Sequence, residues 1–290
     1  IAKLAKEPVP DEVNEAYDAK IISFGRTQII PKPLDPRLIY SVAPAVAKAA
    51  MDSGVAKNPI KDWQKYEAEL KARLGLDNEL MRNITAKAQS NPKKVVFAEA
   101  DNVKILKAAQ VSYEEGVAFP ILLGDRDVIL ALMEEYNIEL PEVTIIDPKA
   151  DSEEERRTNF GKEFFQRRKR KGLTEFEAVK LMRERNHFGA MMVDMGFADA
   201  MITGLTRSYR STVKPLLQII GLEKDVKTAA GMYILNTKRG PMFLADTTVN
   251  LNPTASQIAE ITINVAKTIR KLKVQPKIAL LSYSNFGSSP

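Results

Sequence analysis

The 290-residue chain has no cysteine, one histidine and one tryptophan. Without cysteine there is no disulfide, no thiolate metal site and no thiol nucleophile. That composition fits a reducing compartment, and a cytoplasmic location is the expectation. The single histidine, His187, cannot build a histidine metal cluster. It leaves a Ser-His-Asp arrangement formally open, although a lone histidine near a helix end is more often structural. No apolar run reaches the roughly 18 residues of a membrane span. The opening "IAKLAKEPVPDEV" lacks the apolar stretch of a signal peptide. Glycine is sparse, and no two of the 14 lie two positions apart, so the dinucleotide fingerprint is absent, as is any Walker A pattern. Chemistry here must rest on Ser, Thr, Asp, Arg, Lys and backbone amides.

What is present describes a globular protein. Hydrophobic residues make up 44% and charged residues 28%, and the length allows two domains with buried cores. Basic residues number 43 against 37 acidic ones, a net charge of +6. The signs are interspersed, which suits an anionic partner without marking a nucleic-acid-binding protein.

Prolines at 8, 10, 31, 33 and 36 make residues 1–37 an extended arm, because proline is excluded from helix interiors and central strands. Helices are predicted over 38–53, over 61–73 and on to about residue 88. This stretch is too short to fold alone and reads as the tail of something upstream. From "VVFAEA" (95–100) the texture changes. Strands there, at 119–125, at 143–148 and at 199–204 alternate with helices, which predicts an α/β fold with a parallel sheet and right-handed crossovers. "GMYILNT" and "GPMFLADT" read as neighbouring strands of a second sheet. A helix over 255–272 follows, opened by Thr254 and Gln257 at capping-box spacing. A last strand is predicted over 277–285. The chain then stops where an α/β unit should enter a helix, so a continuation is expected.

Four polar segments are candidate sites. "QRRKRKGLT" (166–174) closes a helix that carries Phe160, Phe164 and Phe165 on one side. Arg168 follows the later two phenylalanines by four and three positions, so it shares their face and borders a cleft. Arg167, Lys169, Arg170 and Lys171 read as solvated cations that complement the helix C-terminus. A nuclear address or nucleic-acid grip lacks an aromatic platform and a second basic cluster. "TGLTRSYRSTVKP" (203–215) follows a predicted strand, where a parallel sheet presents its ligand loops. It offers Thr203, Gly204, Thr206, Ser208, Ser211 and Thr212 beside Arg207, Arg210 and Lys214, a set suited to phosphate. An ordinary polar loop is the alternative. In "LADTTVNLNPT" (244–254), Asp246, Asn250 and Asn252 either contact a ligand or bond their own backbone as Asx turns do. Ser284, in "SYSNFGSS", is open to the same two readings.

Taken in order, "FAEADNVKILKAA", "GVAFPILLGD", "RKRKGLT", "FGAMMVDMGFADAMITG", "VKPLLQIIG", "FLADTTVNLNPTASQIAEI" and "ALLSYSNFGSS" resemble the phosphate acetyl/butyryl transferase family over about residues 77–290. Residues 1–70 resemble the C-terminal end of the bacterial malic enzyme catalytic region. The two pieces in this order resemble the large NADP-dependent malic enzymes that carry a transferase-like module. The resemblance implies a malic enzyme tail and linker helix over 1–74, a first transferase-like domain over 75–221 and a truncated second one over 222–290. It implies a two-domain α/β fold, parallel or mixed sheets flanked by helices, an inter-domain cleft and dimerisation. The implied ligand is acetyl-CoA or a related acyl-CoA. Arg168 falls on the family's arginine in the basic-glycine motif, and Lys214 stands where the family has an arginine. The family's catalytic serine-arginine pair and aspartate would lie beyond Pro290. "SYSNFGSS" departs from the Ser-Thr-Lys-Gly form of its motif. The implied role is acetyl-CoA sensing and oligomerisation; an active transferase and a purely structural module are the alternatives. NADP and a divalent metal, Mg or Mn, would belong to the upstream region, with no cofactor in this segment. Neither nucleic acid nor a membrane is an expected partner.

Overall fold

The computed structural model describes residues 1–282, apart from 11–12, 15–16, 18–21, 23, 27, 74–78 and 238–239. After a short helix, α1 (Ala2–Lys6), Val13 and Asn14 are helical, and the proline-rich run 31–36 forms neither helix nor ladder strand. It is pinned by a buried ion pair inside "LDPR". Arg37 Nη2 lies 2.6 Å from Asp35 Oδ2, and Arg37 Nη1 donates to the Pro8 carbonyl at 2.9 Å. One wide π-helical turn, Leu38–Val42, leads into α2 (Ala43–Asp52), which Gly54 ends at φ +75°. Helices α3 (Trp63–Arg73) and α4 (Glu79–Ser90) follow.

The α/β part begins with β1 (Lys93–Phe97), α5 (Val103–Glu114), β2 (Ala118–Leu123), α6 (Arg126–Glu135) and β3 (Thr144–Ile146). Asn102 caps α5 through the Lys104 N–H, and Asp125 caps α6 through the N–H groups of Asp127 and Val128. Then come α7 (Glu154–Arg168), α8 (Glu175–Leu181), α9 (Arg185–Asp194), β4 (Ala200–Ile202) and α10 (Tyr209–Ile219). The four strands form one parallel sheet in the order β3-β2-β1-β4.

Side chains alternate across the strands, so two cores form. Val96, Ile121, Leu123 and Ile146 pack with Phe160, Phe164, Phe188 and Ile219 of the later helices. Phe97 and Leu122 face the other way, onto Leu106, Ala109 and Ile129 of α5 and α6. The chain thus winds outward over one face and returns over the other, as right-handed crossovers require. Two glycines let helices approach closely. A Cβ on Gly161 in α7 would sit 2.5 Å from Val179 Cα in α8, and one on Gly189 in α9 would sit 2.5 Å from Met201 Sδ in β4.

Later strands β5 (Met232–Thr237) and β6 (Gly240–Ala245) pair antiparallel, and α11 (Ala255–Lys271) carries the expected Thr254–Gln257 capping box. Of the strand predicted over 277–285, residues 277–282 are irregular, with Leu280 and Leu281 exposed, and 283–285 lie outside the described residues. By contacts the chain divides into two compact units, one of residues 1–77 and 85–221, the other of 78–84 and 222–290. Among the described residues, no helix is long and apolar enough to cross a membrane, and no cluster of three acidic or histidine side chains could hold a metal ion.

Candidate functional site

Outward winding ends at β3, and the chain returns to place β4 on the other side of β1. The reversal opens a crevice at the carboxyl ends of β1 and β4, where open α/β sheets take ligands. Two segments meet there: Ala98–Asp101 after β1, and the loop from Thr203 after β4. Their meeting point is the carboxylate of Glu99, which is 2% exposed. It accepts from the backbone N–H of Gly204 (2.5 Å), Leu205 (3.1 Å) and Thr206 (2.6 Å), from Thr203 Oγ1 (3.1 Å) and from Thr206 Oγ1. Burial alone would raise its pKa. The bonds from Thr206, Gly204 and Thr203 outweigh that and hold it at about 2.

A cavity of about 380 Å³ opens beside this knot, within the first unit. Arg168, Lys171, Arg185, Arg207 and Lys214 bring five cations to its wall, with Glu184, Asn186, His187 and Ser211. Arg168 reaches it because α7 ends there: a tight turn, Lys169–Lys171, follows, and Gly172 at φ +80° turns the chain away. The Thr174–Glu177 capping box then opens α8. Arg168, Lys171, Arg207 and Lys214 make no ion pair with any described residue, so their charge is available to an anion. Arg185 is paired: its Nη1 and Nη2 meet Asp101 Oδ1 at 2.5 Å and Oδ2 at 2.7 Å. Those bonds hold the Asp101 carboxyl below its ordinary range.

His187 stands edge-on to Phe164, ring centroids 6.0 Å apart, and its Nδ1 is buried without a hydrogen-bond partner. Burial pushes its pKa down to about 4, against the pull of Glu184 and with the push of Lys214. The imidazole is neutral at pH 7, and among the described residues no triad forms around it.

The expected site residues divide. Arg168, Ser211 and Lys214 line the cavity. Thr203 and Gly204 do not present free donors to it, since both are engaged by Glu99; Thr203 Oγ1 also lies 2.8 Å from Asn186 Oδ1. Ser208 caps α10 by accepting from the Ser211 N–H at 3.4 Å, and Arg210 is exposed away from the cavity wall. Asp246 and Asn250 close the loop after β6 on itself. Asp246 accepts from the N–H groups of Gly231 (2.8 Å), Thr248 (3.2 Å) and Asn250 (2.7 Å) and from the Asn250 side chain. Burial opposes ionisation there too, but these bonds hold Asp246 at about 2. Asn252 is exposed, and Ser284 lies outside the described residues.

Arg167, expected as a solvated cation, is exposed but also joins three helices: it pairs with Glu163 at 3.1 Å and Asp194 at 2.7 Å and reaches the Ile219 carbonyl at 3.4 Å. Glu99, Asp101, Arg185 and Asn186 were not singled out from sequence. The available signal was two acidic residues just past an apolar strand, at the edge where a parallel sheet presents its loops.

Residues 79–290 match the model of the family described as phosphate acetyl/butaryl transferase. The NADP-dependent malic enzyme of Salmonella typhimurium is 40% identical over 291 residues, which take in 100% of this chain and 38% of that protein. The chain therefore spans well under half the length of this relative. The phosphate acetyltransferase of Clostridium acetobutylicum is 32% identical over 218 residues, covering 73% of this chain and 65% of that protein. A solved phosphotransacetylase from Streptococcus pyogenes superposes with a TM-score of 0.66 at 32% identity, over 73% of this chain and 64% of that one.

Proposed function

The chain belongs to the phosphate acetyl/butaryl transferase family, and we propose that it serves as the acetyl-CoA-sensing module of a longer NADP-dependent malic enzyme. The observation that carries this reading is the extent of the similarity. The malic enzyme relative aligns with the whole chain, including the stretch before residue 79 that the family match does not reach, whereas the acetyltransferase relative aligns with 73% of it. On this reading malate decarboxylation, NADP and a divalent Mg or Mn ion belong to the part of the protein upstream of these residues, and the module also joins copies of the protein into an oligomer.

The cavity at the β1–β4 crevice supports the ligand class. Four unpaired cations converge on about 380 Å³, room for the phosphate-bearing part of an acyl-CoA rather than for all of it. Arg168 supplies a planar fork and Lys171 and Lys214 point charges. Binding of acetyl-CoA lowers malate oxidation through linkage between the two sites, and a cytoplasmic setting goes with both activities. The test is an assay of the intact protein that follows NADP reduction by malate beside CoA release from acetyl-CoA and phosphate. Inhibition of malate oxidation by acetyl-CoA, with little transfer to phosphate, is the expected result. Turnover of acetyl-CoA with phosphate at about 1–1000 per second, together with malate oxidation indifferent to acetyl-CoA, would make the module an active phosphate acetyltransferase instead.

A further inference from the structure

The five cations of the cavity are not equivalent. Arg168, Lys171, Arg207 and Lys214 face it without an ion-pair partner among the described residues, while Arg185 is already engaged. Arg185 is the first residue of α9, and its side chain forms part of the cavity wall. Asp101 stands in the turn after β1 and does not line the cavity. The contact between them is two-pronged, each nitrogen of the fork on its own carboxylate oxygen. A guanidinium offers the same fork to phosphate.

We propose that Asp101 stands in for the anionic group of the ligand: Arg185 is a binding arginine of the cavity, held on Asp101 until a phosphate displaces the carboxylate. The proposal rests on the reading of the cavity as an acyl-CoA phosphate site and adds its regulation. Three observations make the exchange feasible. Both side chains are partly open to solvent, 23% for Arg185 and 36% for Asp101, so the pair is not sealed in the core and costs little to open. A phosphate carries more charge than a carboxylate and arrives among four further cations, so it competes well for the fork. Among the carboxylates around Arg185, which include Glu184 and Asp147, Glu99 is fully occupied by the loop after β4, so it neither captures the released Arg185 nor loses a partner when the pair opens. Asp101 thus sets a threshold: weak or singly charged anions leave the latch shut.

The experiment is a calorimetric titration of the intact protein with inorganic phosphate and, separately, with CoA. Asp101→Asn keeps the shape of the side chain and removes its charge. It should tighten phosphate binding about threefold to tenfold. Arg185→Gln should weaken it about tenfold. The double variant should bind like Arg185→Gln alone, because nothing is left to release; a structural role for either residue predicts no such loss of the Asp101→Asn gain. Arg185→Lys, which keeps the charge without the fork, should also lose most of that gain and covers the case in which Arg185→Gln fails to fold. Unchanged or weaker phosphate binding in Asp101→Asn, while Arg168→Ala still weakens binding about tenfold, overturns the latch and leaves the cavity reading standing. Binding unaffected in Arg168→Ala as well overturns both.

Discussion

Thr206 donates its backbone N–H to Glu99 Oε2 at 2.6 Å across 107 residues of sequence, and this bond ties the end of β4 to the end of β1. With its companions it fixes the loop that carries Arg207 toward the cavity and starts α10, which carries Lys214. The anionic Glu99 occupies the amide cradle that the polar loop would otherwise offer to a ligand. The cations, not the amides of this loop, are therefore left facing the cavity.

Glu99→Gln should destabilise the first unit by about 2–3 kcal/mol, the scale of charge-assisted hydrogen bonds to a buried group. The amide removes the charge and turns a donor toward donors. The native carboxyl lies at about 2 against an ordinary 4.5, so its contribution is complete above pH 4.5 and fades as pH falls toward 2. Urea unfolding at pH 7 and pH 3 checks both points. An equal midpoint for variant and parent at pH 7 would remove Glu99 from this role.

His187 supplies a second and separate acid sensitivity. Its pKa in the fold, about 4, lies below the ordinary 6.5, because burial disfavours the imidazolium. Between those values the unfolded chain binds a proton that the native chain refuses. Stability therefore falls as pH drops through 6.5 and levels off below about 4, by at most about 3 kcal/mol for a shift of this size. Replacing His187 with Gln removes the titrating group. Thermal melts from pH 7.5 to 4.5 should show the parent losing ground to His187→Gln; parallel curves would show that the imidazole is not held neutral.

Much of this fold was legible because the signals are local. "VVFAEA", "FPILLGD" and "VTIIDP" are apolar runs bounded by turn residues, and Thr174 with Glu177 announces a helix start within four residues. The position of Arg168 followed from helical spacing to Phe164 and Phe165. The rest was out of reach for an equally physical reason. Glu99 and Gly204, Asp101 and Arg185, and Arg167 and Asp194 are partners chosen by the order of strands in the sheet, which no local window contains. Asp246 shows the other limit. A carboxylate in a polar loop reads equally as ligand contact or loop closure, and the closing role becomes visible only from the positions of the Gly231 and Asn250 donors.

Gly161→Ala tests the packing behind the basic turn. The new methyl carbon would meet Val179 backbone, Cα at 2.5 Å and N at 2.8 Å, and no side-chain rotation relieves that overlap. Alanine gains about 1 kcal/mol of helix propensity over glycine. Forcing α7 and α8 apart costs more, so a net loss of about 1–3 kcal/mol is expected. Chemical denaturation measures it, and a variant as stable as the parent would mean that the helices are not held at this separation.

Arg168→Ala tests the cavity. Arg168 is partly buried at the end of α7, lines the cavity and has no ion-pair partner among the described residues, so its removal strands no carboxylate and spares the fold. Loss of one charge-assisted contact should weaken acetyl-CoA binding about tenfold or more. The thermal stabilisation of the intact protein by acetyl-CoA should shrink accordingly, while its melting temperature without ligand stays put. An unchanged response would take Arg168 out of the site.

Lys214 is the position where charge and geometry can be separated. It lies on α10, exposed and lining the cavity, and it stands where the sequence motif of the family is read as carrying arginine. Lysine brings the same charge on a flexible stem, with donors that rotate; arginine brings a planar fork that matches two phosphate oxygens at once. If the cavity holds phosphate only by net charge, Lys214→Arg leaves affinity where it was. If orientation matters, as transfer chemistry demands of its anion clamps, the fork should tighten inorganic phosphate about threefold to tenfold. Lys214→Ala should weaken phosphate binding in either case. We expect Lys214→Arg to tighten it and to raise any residual release of CoA from acetyl-CoA and phosphate. Titration calorimetry and the coupled assay read the two effects separately. Tighter binding without faster release would place the lysine among the groups that hold the ligand rather than those that turn it over, and a variant that binds phosphate more weakly than the parent would count against Lys214 facing the phosphate at all.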